Sequence, residues 1–138
     1  DFAMGALLVH RGVRFVATNP DPSFPSELGP LPGAGALSAV ISTATGIQPL
    51  VVGKPGPIVF QEAIKRLDAD PAGVVMVGDR LSTDIAGARA AGLRAILVLT
   101  GISSREEVAA SPDKPDFIFD DITALAAFLE GQSVLAHV

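Results

Sequence analysis

Val74-Val75-Met76-Val77-Gly78-Asp79-Arg80-Leu81-Ser82-Thr83-Asp84-Ile85 is the stretch that decides the fold. Its first four residues are apolar and form a run of strand length, and the small-residue segment from Ile85 to Ala91 reads as a helix. A strand that runs into a helix in this way leaves Asp79 at the strand's carboxyl end, the edge along which open α/β sheets bind ligands. Asp84 follows five residues later, in or near the first helical turn and close enough to face the same crevice. Two carboxylates there are hard oxygen donors that suit Mg²⁺, which keeps several waters and takes few protein carboxylates beside substrate phosphate. For Asp84 a plainer reading stays open: Ser82 or Thr83 caps the helix and Asp84 complements its dipole. Capping accounts less well for Asp79, a charge placed straight after a buried strand.

Upstream and downstream the pattern repeats. Phe2 to His10 reads as a helix ending near Gly12, and Val13 to Ala17 as a first buried strand running into Thr18-Asn19-Pro20-Asp21. Pro20, Pro22 and Pro25 break regular structure, so residues 19 to 33 are expected to form a long surface loop. Ala34 to Thr45 reads as a helix closed by Gly46, and Leu50-Val51-Val52 as a strand stopped by Gly53-Lys54-Pro55-Gly56-Pro57. Ile58, Phe60, Ala63, Ile64 and Leu67 stand at helical spacing. Ala95 to Leu99 and Phe117 to Phe119 are further strands, with a short helix around Arg105 to Ala109 and a closing helix from Ile122 to Leu129, capped by Asp120 or Asp121. Strands alternating with helices predict an α/β fold, a parallel Rossmann-like sheet with helices on both faces and right-handed crossovers.

Composition narrows the function. The 138 residues are read as a single domain, 49% hydrophobic and only 18% charged, with 14 glycines and 11 prolines, which fits a tightly turned globular chain. The net charge of −5 and the scatter of the ten Lys and Arg residues argue against nucleic acid or an anionic membrane as partner. No cysteine is present, which removes disulfides, thiolate metal sites and a cysteine nucleophile. No apolar run reaches the roughly 20 residues of a membrane span, and no signal-peptide pattern opens the sequence, so a cytoplasmic location is expected. His10 and His137 lie near the ends without Ser or Asp partners in any triad order.

Three strand ends carry polar residues that packing alone does not require: Thr18-Asn19, Lys54, and Asp79 with Asp84. If those strands are near neighbours, an amide, an ammonium and carboxylates meet in one crevice, the composition of a phosphate-and-metal site. Lysine would neutralise phosphate oxygens as a point charge, and Mg²⁺ on Asp79 would neutralise others. Lys54 also reads as a solvated loop lysine, and Asn19 as an Asx-turn residue before Pro20. Gly33-Ala34-Gly35 reads as a helix entry rather than a phosphate cradle, because no strand immediately precedes it.

Arg14-Phe15-Val16-Ala17-Thr18-Asn19-Pro20-Asp21, Val51-Val52-Gly53-Lys54-Pro55 and Met76 to Ile85, in this order and spacing, resemble the C-terminal half of the haloacid dehalogenase superfamily. More narrowly they resemble its capped phosphatases, the group of 4-nitrophenyl, phosphoglycolate and pyridoxal phosphatases and nucleotide monophosphatases. Thr100-Gly101-Ile102 and Pro115-Asp116 continue the likeness, which covers nearly the whole chain. The resemblance implies a Mg²⁺-dependent phosphatase of small phosphorylated metabolites acting through a phosphoaspartate. Lys54 would hold nucleophile and substrate phosphate, Asp79 would bind Mg²⁺ directly, and Asp84 would support the metal through water or outer contacts; Asn19 is the remaining candidate for binding substrate.

One part of the family pattern is missing. The nucleophile and general acid belong to an Asp-x-Asp-Gly motif, followed by a Ser/Thr motif and a cap domain, all upstream of the Phe15 strand; Asp1-Phe2-Ala3-Met4 has alanine at the second acidic position. Residues 1–138 are therefore expected to be a core fragment with little or no turnover alone. The nucleophile's strand normally lies beside that of Asp79, so its place would be taken by another copy in a homo-oligomer, by a rearranged strand order, or by an upstream segment. The alternative function is a non-catalytic phosphate- or Mg²⁺-binding α/β module.

Overall fold

The computed structural model describes residues 1–135. Within it the chain divides into two compact units, with the boundary between Val59 and Phe60. In the first, helix α1 (Phe2–His10) is capped by Asp1, whose Oδ1 accepts the Ala3 N–H at 3.0 Å. Strand β1 is shorter than expected, Val16–Ala17, and pairs in parallel with a later strand, Leu50–Val51. Between them the expected loop of residues 19–33 contains an antiparallel hairpin, β2 (Ser23–Phe24) with β3 (Leu31–Pro32). Pro22, Pro25, Pro30 and Pro32 cannot donate to a ladder, which limits each strand to two residues. Helix α2 (Ala34–Thr45) ends at Gly46 as its sequence predicts, and Leu50–Val51 is β4. Gly33 stands at the amino end of α2 and Gly35 N donates to Asp21 O at 2.8 Å, so this glycine pair is a helix entry.

Helix α3 (Pro57–Leu67) starts at the end of the first unit and continues into the second. A single turn of 3₁₀ helix, Pro71–Gly73, is capped by Asp70 and leads into β5 (Val75–Gly78). A π-helical turn, Leu81–Ile85, leads directly into a short helix, α4 (Ala86–Ala90), which lies within the Ile85 to Ala91 helix expected from sequence. Strand β6 (Arg94–Val98) is central, paired in parallel with β5 and with β7 (Phe117–Phe119), with Gly78 opposite Leu97 and Val98 opposite Phe119. Ala95, Ile96, Leu97 and Val98 are all buried, as befits a parallel strand covered on both faces. Phe60, Leu81, Ile85, Ala88 and Leu93 join Ala95 and Leu97 in the core.

The remaining helices are set by their ends. Helix α5 (Arg105–Ala110) has a capping box, in which Ser104 Oγ accepts Glu107 N–H and Glu107 Oε2 accepts Ser104 N–H. Of the two aspartates before α6 (Ile122–Leu135), Asp121 is the cap, accepting the Ala124 N–H at 2.7 Å. Phe128 of α6 packs its ring 5.5 Å from that of Phe119. Among the described residues no helix is long and apolar enough to cross a membrane.

Candidate functional site

The parallel register of β5 and β6 places their carboxyl ends side by side, so the segment leaving β6 meets the one leaving β5. Asp79 is the first residue beyond β5, and its carboxylate is half-buried. Asp79 Oδ2 accepts the Ile102 N–H at 3.0 Å, and the Asp79 carbonyl accepts the Ser103 N–H at 3.0 Å. Gly101 sits against this carboxylate so closely that a Cβ there would overlap it.

Asp84 turns back toward the same strand end. It is only 3% exposed, and its Oδ2 accepts two successive amides, Asp79 N–H and Arg80 N–H, each at 3.1 Å. Its side chain lies over Gly78, where a Cβ would collide with it. The π-helical turn makes this approach possible, with the Ile85 amide reaching Arg80 O at 3.3 Å. Ser82 and Thr83 make no capping bond, so the capping interpretation gives way to a carboxylate that fills the concave side of the loop.

Ser103 was not among the residues singled out from sequence. It is 7% exposed, and its Oγ accepts the Leu81 N–H at 3.0 Å. Three consecutive amides, those of residues 79, 80 and 81, are thus satisfied by the side chains of Asp84 and Ser103. Nothing in the Ser103-Ser104 pair that follows Thr100-Gly101-Ile102 announces this role; it depends on the pairing of β5 with β6.

The other candidates belong to the first unit. β1 and β4 are paired, so Asn19 and Lys54 follow neighbouring strands, and Gly53 approaches the Thr18 carbonyl too closely to carry a Cβ. Asn19 Oδ1 accepts the Asp21 N–H at 3.1 Å, the Asx turn that its sequence allows. Lys54 is exposed and precedes a cis Pro55. Asn19 and Lys54 thus follow paired strands of the first unit, and Asp84 folds back onto the Asp79 backbone in the second. A cavity of about 390 Å³ in the first unit has no charged residue in its lining, which includes Asn19, Ser38, Ser42, Thr43 and Gln48.

Among the described residues no cluster of three or more His, Cys, Asp or Glu side chains is placed to hold a metal ion. Asp70 caps the 3₁₀ turn by accepting the Ala72 N–H at 2.9 Å. His137 lies outside the described residues. Asp116 braces the far side of β6: its Oδ2 accepts the Ala95 N–H at 2.7 Å and meets Arg89 at 3.1 Å. The hydrogen bond from the Ala95 N–H, with help from Arg89, holds its carboxyl below the usual carboxylate range.

Comparison with known proteins gives this arrangement its family. Residues 51–125, which include Lys54, Asp79 and Asp84, match the HAD-hydrolase-like family model. The chain is similar to 5'-nucleotidase YutF of Bacillus subtilis, with 40% identity over 122 residues, covering 88% of this chain and 48% of that protein. It superposes on the crystal structure of a glycerol phosphate phosphatase from Mycobacterium tuberculosis in complex with magnesium, with a TM-score of 0.81 and 45% identity, covering 90% of this chain and 38% of that one. It is also similar to a 4-nitrophenylphosphatase from Thermotoga maritima, with a TM-score of 0.83 and 38% identity over 91% of this chain and 49% of that one. The chain spans about half the length, or less, of the curated relatives it matches. By its loop after β5 and by the matched residues, the chain belongs to the haloacid-dehalogenase-like hydrolase family.

Proposed function

We propose that the protein to which these residues belong is a Mg²⁺-dependent phosphatase of small phosphorylated metabolites, and that residues 1–138 supply part of its site. The observation that carries the reading is the fixed carboxylate of Asp79 at the end of β5, held by Ile102 and backed by Asp84. A half-buried hard-oxygen donor on a rigid strand end, with the β-carbon space at Gly101 taken up by the carboxylate itself, fits Mg²⁺ better than a thiophilic metal. Bound there, the ion would neutralise phosphate oxygens. Asp79 is its direct ligand in this reading, and Asp84 shapes the loop that presents Asp79. Lys54 is assigned to the substrate phosphate as a point charge, and Asn19 to the substrate.

The attacking carboxylate is assigned to an Asp-x-Asp-Gly motif, which the sequence of these residues does not contain. Among the described residues β5 pairs on one side only, with β6. Such an open side suits the nucleophile's strand, brought by an upstream segment or a second copy. The attack would break the phosphate ester bond, form a phosphoaspartate and release an alcohol; water would then release phosphate. The glycerol phosphate and 4-nitrophenyl phosphatases among the relatives support small monoesters as the substrate class.

Hydrolysis of 4-nitrophenyl phosphate tests this directly. The 138-residue chain should show no turnover with or without Mg²⁺. A longer form carrying the Asp-x-Asp-Gly segment should turn over only with Mg²⁺, and Asp79→Asn should lower its kcat at least about 100-fold. Mg²⁺-dependent turnover by the 138 residues alone would place the nucleophile among them and overturn the division of labour. The alternative of a non-catalytic Mg²⁺-binding module predicts a sub-millimolar Mg²⁺ constant for this chain, which a partial ligand set does not favour.

A further inference from the structure

Asp79 is held from two directions, and only one of them is its own loop. The other is the turn that leaves β6. Ile102 N–H binds Asp79 Oδ2, Ser103 N–H binds the Asp79 carbonyl, and Ser103 Oγ receives the Leu81 N–H, each at 3.0 Å. Gly101 closes the fourth contact by lying flat against the carboxylate. Ser103 is therefore bonded to the residue that presents the carboxylate and to the one that opens the π-helical turn, while being buried itself.

From this geometry we infer that Ser103 is a positioning residue for Mg²⁺ binding and that the Gly101–Ser103 turn is the clamp through which it acts. The inference rests on the reading of Asp79 as the metal ligand. Ser103 touches neither metal nor substrate; its hydroxyl fixes the Leu81 amide, and its own amide fixes the Asp79 backbone. Losing the hydroxyl leaves a buried amide without an acceptor, and the loop is free to turn that amide outward toward water. The Asp79 carboxylate then loses the orientation that Ile102 completes. Groups that orient a metal ligand in this way alter affinity about 10- to 100-fold when removed.

The test is a Mg²⁺ titration of the 138-residue chain followed through the backbone amide signals of residues 79–81 and 101–103 by NMR, which reads weak constants and needs no catalysis. Wild type should shift saturably, and Asp79→Asn should abolish the shifts. Ser103→Ala should weaken the constant about tenfold or more, and Ser103→Thr, which restores an acceptor, should return it to the wild-type value. A Ser103→Ala constant equal to wild type, with Asp79→Asn still silent, overturns the clamp but leaves Asp79 as ligand. Shifts unaffected by Asp79→Asn, or absent from wild type, overturn both. Should Ser103→Ala not fold, Gly101→Ala decides, since it keeps the hydroxyl and pushes on the carboxylate; retained wild-type affinity there overturns the clamp.

Discussion

The two units solve the same problem, a strand ending in a polar loop, with very different resources. In the second, buried Phe60, Leu81, Ile85, Ala88, Leu93, Ala95 and Leu97 form one contiguous cluster, and the loop above it is tied down by two buried side-chain acceptors. In the first, Val9 and Ala17 are the buried apolar residues, while Phe2, Met4, Leu7, Leu8, Leu37 and Val40 keep much of their surface exposed. Its strand-end residue Asn19 makes a local turn with Asp21 rather than a bond across strands. Precise placement of a carboxylate therefore belongs to the unit that has a core to build on, since a loop is only as well fixed as the elements that anchor it.

Substitutions can break or sharpen that contrast. The largest effect is expected at Leu97, fully buried in β6, where Leu97→Ala should cost about 2–5 kcal/mol in chemical denaturation, against about 1 kcal/mol for Val9→Ala. Comparable losses at the two sites would mean that the first unit has a core as continuous as the second. Next come the strand-end acceptors. Asp84→Ala leaves two amides without their acceptor and should cost about 3 kcal/mol, whereas Asn19→Ala, which removes one partly exposed bond, should cost under about 1 kcal/mol. An equal cost for both would show that the inward amides find water easily.

The smallest expected effect is pH-dependent and confined to the second unit. The Asp116 carboxyl is held below its ordinary value, chiefly by the Ala95 amide, so the folded state favours its charged form. That contribution is fully present above the unfolded pKa and fades as pH falls through the lowered folded value. Thermal unfolding of wild type and Asp116→Asn should differ by a constant amount near neutrality and converge below about pH 4. A gap that widens in acid would remove Asp116 as the brace between β6 and β7.

Much of this was legible from the residues. Helices α1 and α2 and strand β7 lie where turn residues and apolar patterning place them, because their signals are local: Gly12 after one helix, Gly46 after the other, Phe-Ile-Phe between turn residues. The hairpin of β2 and β3 was not legible, since strands of two residues among four prolines carry no periodicity. Asp79 and Asp84 stood out as charges after an apolar run of strand length, but the acceptor role of Asp84 depends on a π-helical turn that no local preference encodes. Ser103 was hidden for a similar reason: the amide it serves lies 22 residues earlier in the chain.

The π-helical turn at Leu81–Ile85 also acts as a phase shifter. Each residue of a helix advances the side chains by about 100°, so the wider turn aims Asp84 at the end of β5 while Ile85 and Ala88 still face the core. Length, more than composition, is then what this segment cannot give up. Exchanges at Ser82, which is exposed, leave the phase intact, whereas a one-residue deletion between positions 81 and 85 would rotate the carboxylate and the apolar face out of step. Insertions and deletions should thus be far rarer here than substitutions among proteins that share the loop.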